Sequence, residues 1–430
     1  MKTELMHTRL ETLLERAFES KKHKIQVLGS SSELPLSFFL SQTYSKQINN
    51  LPHLVITSSH ASAELLSELI RFFDPLKVCH LFNHFDVSPY SGLYPNARTV
   101  GDRLQFLYRA QSAKPGEIFI TSIQALCQKT IPFKELKDRT FVWRPGSEIP
   151  DGIAGFLNDL GYQSAPMVED QGQYAFRGGI IDIFSPAQSR PIRLELFGDQ
   201  IESLRFFSPA DQRSKEETSF IAIIPAKEIL FRDENHEQLL KSFRASLEGR
   251  PVDRTESEEV LRSLVLKNYF PGAEFLLPYF YKNLETAFDH FSSALNVWLL
   301  DPIEVSRFSD EHLAEMKNEY IGADKSVIRP EIEKLFVNFD KMQMPDDSRQ
   351  IYFSNLEYFD DETSNEVKIE YRSSQVTEFT NLSLSFTPGS DSWISAVKQK
   401  LTRWKEDGYK VFVGIKNQTQ MDRLAHFIDR

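Results

Sequence analysis

Residues 169–214 read EDQGQYAFRGGIIDIFSPAQSRPIRLELFGDQIESLRFFSPADQRS, and the run Ile192-Arg193-Leu194-Glu195-Leu196-Phe197 inside them alternates apolar and polar side chains. A strand repeats every two residues, so Ile192, Leu194 and Leu196 share one face while Arg193, Glu195 and Phe197 share the other. Gly198-Asp199 supplies a turn and residues 200–207 a second strand, which together predict a β-hairpin. Phe197 is the odd residue, an aromatic ring on the face meant for water. It either packs at a strand end against its neighbour or anchors a binding surface, where aromatic and arginine side chains are enriched.

Three blocks in fixed order extend this reading: Tyr174-Ala175-Phe176-Arg177-Gly178-Gly179-Ile180-Ile181-Asp182-Ile183-Phe184, then residues 191–205, then Asp211-Gln212-Arg213-Ser214. With their spacing they resemble the UvrA-binding domain shared by the excision-repair protein UvrB and the transcription-repair coupling factor (Mfd) family. The resemblance implies that Arg177, Arg193 and Phe197 contact UvrA. Both arginines would offer forked, charge-assisted hydrogen bonds to carboxylates of the partner. Phe197 would add apolar burial worth about 2 kcal/mol. A structural role stays open for each, for Arg177 as the residue before the Gly178-Gly179 pair. Glu195 is expected to pair with one of the arginines at the surface, a contact of small value.

The chain has 430 residues, enough for two to four domains, and at 41% hydrophobic and 26% charged it reads as globular. It carries no run of eighteen apolar residues, and its first segment is charged throughout, so neither a membrane span nor a signal peptide is expected and the location implied is cytoplasmic. Its two cysteines, Cys79 and Cys127, lack CxxC spacing and sit in apolar runs, which predicts buried thiols. The net charge of −11 argues against a chain whose main task is gripping a phosphate backbone. No GxSxG, HExxH or CxxC set is present, and no catalytic residue or metal ligand is assigned.

From residue 24 to 137, short apolar strands alternate with amphipathic helices near 35–44, 61–73, 99–110 and 123–128, the pattern of a parallel sheet covered by helices. The loop after the first strand, Gly29-Ser30-Ser31-Ser32-Glu33-Leu34-Pro35, stands where a phosphate cradle would lie. It lacks the second glycine and the lysine of a P-loop, and Glu33 would repel a triphosphate, so it reads as a degenerate P-loop that binds no nucleotide. The resemblance agrees, because UvrB keeps this motif intact and the Mfd domain of the same fold has it eroded. Tyr90, Arg98 and Arg103 resemble that domain too and are read as structural.

The fold class expected is therefore α/β: a P-loop-NTPase-like parallel sheet with a degenerate phosphate loop, a β-rich α+β insert, and an incomplete C-terminal α/β domain. The domains expected are 1–137 (UvrB-like domain 1a), 138–220 (the UvrA-binding insert), 221–320 (domain 1b), 321–344 (a connector) and 345–430 (a truncated α/β domain). Within them, 149–160 and 234–262 read as helices, 295–300 as a strand ended by Asp301-Pro302, and 311–320 as a connector helix. Trp393, Val397, Leu401 and Trp404 form a helical stripe read as core, followed by a strand at 409–415 and a helix at 418–429.

What the resemblance implies is recruitment by binding. A complete family member would displace a stalled RNA polymerase by translocating on double-stranded DNA, with ATP and Mg used by motor domains whose motifs are absent from these residues, and would recruit UvrA. This chain is expected to use no cofactor, to bind UvrA without ATP or polymerase, and to be a fragment or shortened product. A UvrB-like ATP-dependent helicase and a non-catalytic regulatory fragment are the rival readings.

Overall fold

The computed structural model describes residues 2–19, 23–249, 252–323, 328–357, 366–370, 390–409 and 418–429, with the single residues 385, 387 and 411. In chain order its strands are β1 (Lys24–Leu28), β2 (His53–Thr57), β3 (Cys79–Phe82), β4 (Ile118–Ser122) and β5 (Phe141–Trp143). Then come β6 (Gln163–Ser164), β7 (Gln173–Arg177), β8 (Ile180–Ile183), β9 (Ile192–Phe197) and β10 (Gln200–Phe207). The last five are β11 (Ser214–Glu217), β12 (Ile221–Ile223), β13 (Asn296–Leu300), β14 (Arg349–Ser354) and β15 (Glu366–Glu370).

Seven of these form one parallel sheet in the order β15-β1-β14-β13-β2-β4-β3. Its inner strands β2, β4 and β13 are buried along their whole length because both sides are covered. Leu54, Ile56, Phe119, Val297 and Leu299 pack on one side with the helix Ala97–Gln111 and the chain that returns from the insert. Val55, Ile118, Ile120, Trp298, Ile351 and Phe353 pack on the other with the helices Lys2–Glu19, Glu33–Gln42 and His60–Phe73. The expected helices are thus present, and both thiols are buried. Among the described residues, no helix is long and apolar enough to cross a membrane.

The six-stranded sheet β11-β10-β9-β8-β7-β6 is a separate layer, antiparallel except for the β6–β7 pair. The hairpin forms with the expected limits, and Ile192, Leu194, Ile201 and Leu204 bury against the helix Ile153–Asp159 through Leu157. That helix is shorter than expected, since Pro150 and Gly152, the latter left-handed at φ 66°, hold back its start. The layer joins the main sheet where β5 pairs antiparallel with β12, and its core reaches past residue 220 to Ala226.

Four further expectations change. The strands β14 and β15 do not open a separate domain: they flank β1 and complete the first sheet. Pairing between strands more than 300 residues apart is invisible to a local pattern. The connector helix is the end of a longer helix, Pro302–Gly322, whose Val305 is in the core, and the charged stretch 234–262 is two helices, His236–Leu247 and Arg254–Val265. Of the tryptophan stripe on the helix Asp391–Glu406, only Val397 is buried. Of the strand expected at 409–415, residues 410 and 412–415 lie outside the described residues.

A fully buried ion pair joins the halves of the chain that the insert separates. Arg103, fully buried, donates from Nε to Glu228 Oε1 at 2.6 Å, and from Nη1 to Asn83 O at 2.9 Å and Gln128 Oε1 at 3.2 Å. Its guanidinium also lies over the rings of Phe82 and Phe85, 4.6 and 4.3 Å from their centroids. Breaking a buried pair from one side leaves an uncompensated charge, which costs about 3–5 kcal/mol. Glu228→Ala is therefore predicted to lower the urea unfolding midpoint by an amount corresponding to about 3 kcal/mol. A loss below about 1 kcal/mol would show that the pair does not hold the halves together.

Candidate protein-binding face of the insert

The ladder fixes which side chains share a face. Arg177 of β7 lies opposite Ile180 of β8, Ile180 opposite Glu195 of β9, and Glu195 opposite Ser203 of β10. Directly paired residues project to the same side, as do residues two apart. Arg177, Ile180, Arg193, Glu195 and Phe197 therefore lie on one face, away from the helix. From Arg177 to the β9 strand is roughly 10 Å across two strand spacings.

That face has two halves. The inner half is covered by a small cluster of Val168, Ala175 and Phe207, with Phe184 packed against it. The outer half, near the turns, is open: Phe197 keeps 80% of its surface exposed, and Arg177 is exposed. Gly198 at φ 61° and Gly178 at φ 62° make the tight turns that end the hairpins there, a backbone region costly to residues with a Cβ.

The three expected residues fare differently. Phe197 stands on the open face as the alternation implies. Arg177 also points out, donating from Nη2 to Pro166 O at 3.3 Å. Arg193 does not stand free. Its Nε and Nη2 fork onto both oxygens of Asp182, at 2.7 and 2.9 Å, and its Nη1 donates to Gln212 O and Ser214 Oγ, each at 3.2 Å. Asp182 is wholly buried and the arginine side chain is 13% exposed. The hydrogen bonds it donates to Asp182 raise the already high pKa of Arg193. The expectation of Arg193 as an outward fork for a partner is corrected accordingly: in this structure the fork is occupied by an internal carboxylate.

The partner expected for Glu195 changes as well, because its Oε2 accepts from Ser203 Oγ at 2.7 Å. Across the ladder the charges run Asp182, Arg193, Arg205, Glu217. Two arginines directly opposite each other would be unfavourable alone. Asp182 neutralises the first, and Glu217 Oε1, 3.3 Å from Arg205 Nη2, lies beside the second. The block 211–214 is thereby explained: it loops back to brace Arg193, with Gln212 in the left-handed region at φ 58° and its Nε2 donating to Val168 O and Pro209 O.

Sequence reasoning missed Ile180 and Asp182. The two-residue Gly178-Gly179 turn could have placed Ile180 beside Arg177, since such a loop sets the register. No comparable signal fixes Asp182 opposite Arg193, because a seven-residue-plus loop separates their strands.

An exposed aromatic ring on a sheet face braced from within is the kind of feature that anchors protein–protein contacts. Residues 145–229 match the family described as the UvrB interaction domain, which coincides with this layer and its root. Across 64–80% of its length the chain is similar to the N-terminal part of transcription-repair-coupling factors. It is 28% identical over 353 residues to that of Myxococcus xanthus, covering 80% of this chain and 29% of the relative. For Haemophilus influenzae the figures are 28% over 325 residues, 74% and 27%, and for Escherichia coli 25% over 295 residues, 68% and 25%. The chain thus spans less than a third of the length of these curated relatives.

The two roles on this face separate by stability. Arg193→Ala strands the buried Asp182 charge and is predicted to destabilise the insert by about 3 kcal/mol, read as lost amide-exchange protection in β8 and β9. Phe197→Ala removes an exposed ring and is predicted to leave that protection within about 0.5 kcal/mol of wild type. Equal protection in both variants would remove the bracing role of Arg193.

Proposed function

We propose that this chain recruits UvrA to sites of transcription-coupled nucleotide excision repair, through the open half of the insert face. Phe197 is the central anchor and Arg177 the charged contact, with Ile180 between them. Arg193 acts as a positioning residue that fixes β9 against β8, and only its edge is available to a partner. The observation that carries the reading is the exposed Phe197 ring on a layer that matches the UvrB interaction domain. A folded protein gains nothing by holding a phenylalanine in water, and covering it is worth about 2 kcal/mol.

We further propose that recruitment by this region needs no nucleotide. The loop at 29–35 joins β1 to its helix as a phosphate loop would, but Glu33 opens that helix, and its carboxylate accepts from Ser62 Oγ at 2.6 Å. A negative charge at the helix N-terminus occupies the place where an anion would be stabilised. RNA polymerase, double-stranded DNA and ATP-driven translocation belong to the reading of a whole factor, of which this chain would supply the recruiting part.

The test is a pull-down with purified UvrA, without ATP. Wild type is expected to bind, and Phe197→Ala and Arg177→Ala each to weaken binding about thirtyfold, the size of a 2 kcal/mol anchor. Wild type that fails to bind, or a Phe197→Ala variant that binds equally, would sink the proposal.

A further inference from the structure

Away from the insert, a cleft of about 420 Å³ opens at the carboxyl ends of β2, β3, β4 and β13. Parallel sheets commonly bind ligands at this end. The usual occupant there is an anion, and the lining of this cleft argues against one. Asp86, Glu311, Glu315 and Glu319 contribute four carboxylates to it, and none of its lining residues is a lysine or arginine.

His60, His84 and His312 complete the polar wall. Burial, reinforced by the neighbouring His60, His312 and Arg103, lowers the His84 pKa to about 4, and burial lowers that of His312. Both rings are then neutral at pH 7. His60 Nε2 faces Glu64 Oε1 at 3.3 Å.

Four buried atoms of these lining residues have no protein partner: His60 Nδ1, His84 Nδ1, Gln124 Oε1 and Glu319 Oε2. The two oxygens only accept, and a neutral imidazole nitrogen accepts whenever its other nitrogen holds the proton. Buried polar atoms are nearly always satisfied, so this wall calls for a donor-rich group. Among the described residues, no group of His, Cys, Asp and Glu has the arrangement of a metal site. Phe308, Met316 and Phe336 supply apolar surface beside the acceptors.

We propose that the cleft binds a guanidinium group presented as an arginine side chain. Five N–H donors in a planar fork match a wall of carboxylate, amide and imidazole acceptors, and the apolar residues take the methylene stem. The free amino acid and an arginine of a peptide share this chemistry. The site is independent of the insert face and of its partner.

Calorimetric titration of the full chain with N-acetyl-arginine amide tests this, with N-acetyl-citrulline amide as the uncharged isostere and the peptide Gly-Arg-Gly as the chain-borne form. Saturable binding of the arginine amide is expected, and the citrulline amide should bind at least tenfold more weakly. Glu319→Gln, close in shape, should weaken the arginine amide at least tenfold, and Gln124→Ala should weaken it in a separate variant. Tighter binding of Gly-Arg-Gly than of the amide would assign a peptide source, and the reverse a small-molecule source. No saturable heat with either arginine probe, equal binding of the citrulline amide, or no loss in both variants while thermal unfolding stays unchanged, would overturn the proposal.

Discussion

The buried pair between Arg103 and Glu228 is the constraint from which the rest of the architecture follows. One partner sits on the helix that covers the main sheet, and the other lies just after the insert rejoins the fold. The insert leaves and returns through β5 and β12, two strands of three residues each. A two-stranded connection is a weak hinge by itself. The return segment is therefore held by more than the ladder: Ala226 N–H donates to Leu160 O, Tyr162 Oη to Ile224 O, and Lys227 Nζ to Glu274 at 2.9 Å. With Glu228 fixed in the core, these contacts seat the insert on the main sheet.

A seated insert can carry an exposed ring at low entropic cost to its partner. Central anchors contribute most when the surface around them is already ordered. Arg193 provides that order by tying three pieces of chain together, β9 by its own backbone, β8 through Asp182, and the 211–214 loop through Gln212 and Ser214. Phe197, four residues along the same strand, inherits the rigidity. The internal use of an arginine and the outward display of a phenylalanine are thus two parts of one device.

Much of this was legible in the chain because the informative patterns are local. The alternation at 192–197 and the Gly198-Asp199 turn gave the hairpin limits and put Phe197 outside, since the strand repeat and the turn type depend on neighbours in sequence. The alternation also gave Arg193 the correct face. It could not say whether that face was open at Arg193, because its cover comes from Phe207 and from a loop that returns some twenty residues later. The same limit explains β14 and β15. Their apolar pattern identifies strands, but only tertiary packing decides that they flank β1, and a pattern reader assigns them to a new domain. Asp182 was the hardest residue to place, since a carboxylate within an apolar strand makes sense only when its cross-strand arginine is known.

Two loops at the carboxyl ends of the parallel strands show what this edge of the sheet presents. After β1 the chain turns into its helix at Gly29, which has φ 116° and an N–H bound to Ser354 O. The charge at this edge is negative: Glu33 sits at the helix start, and the neighbouring cleft collects carboxylates and acceptor atoms. Fold geometry is set by apolar burial on both sheet sides, which tolerates changes at the loop ends with little loss of stability. A parallel sheet can therefore keep its shape while the charge presented at its binding edge varies.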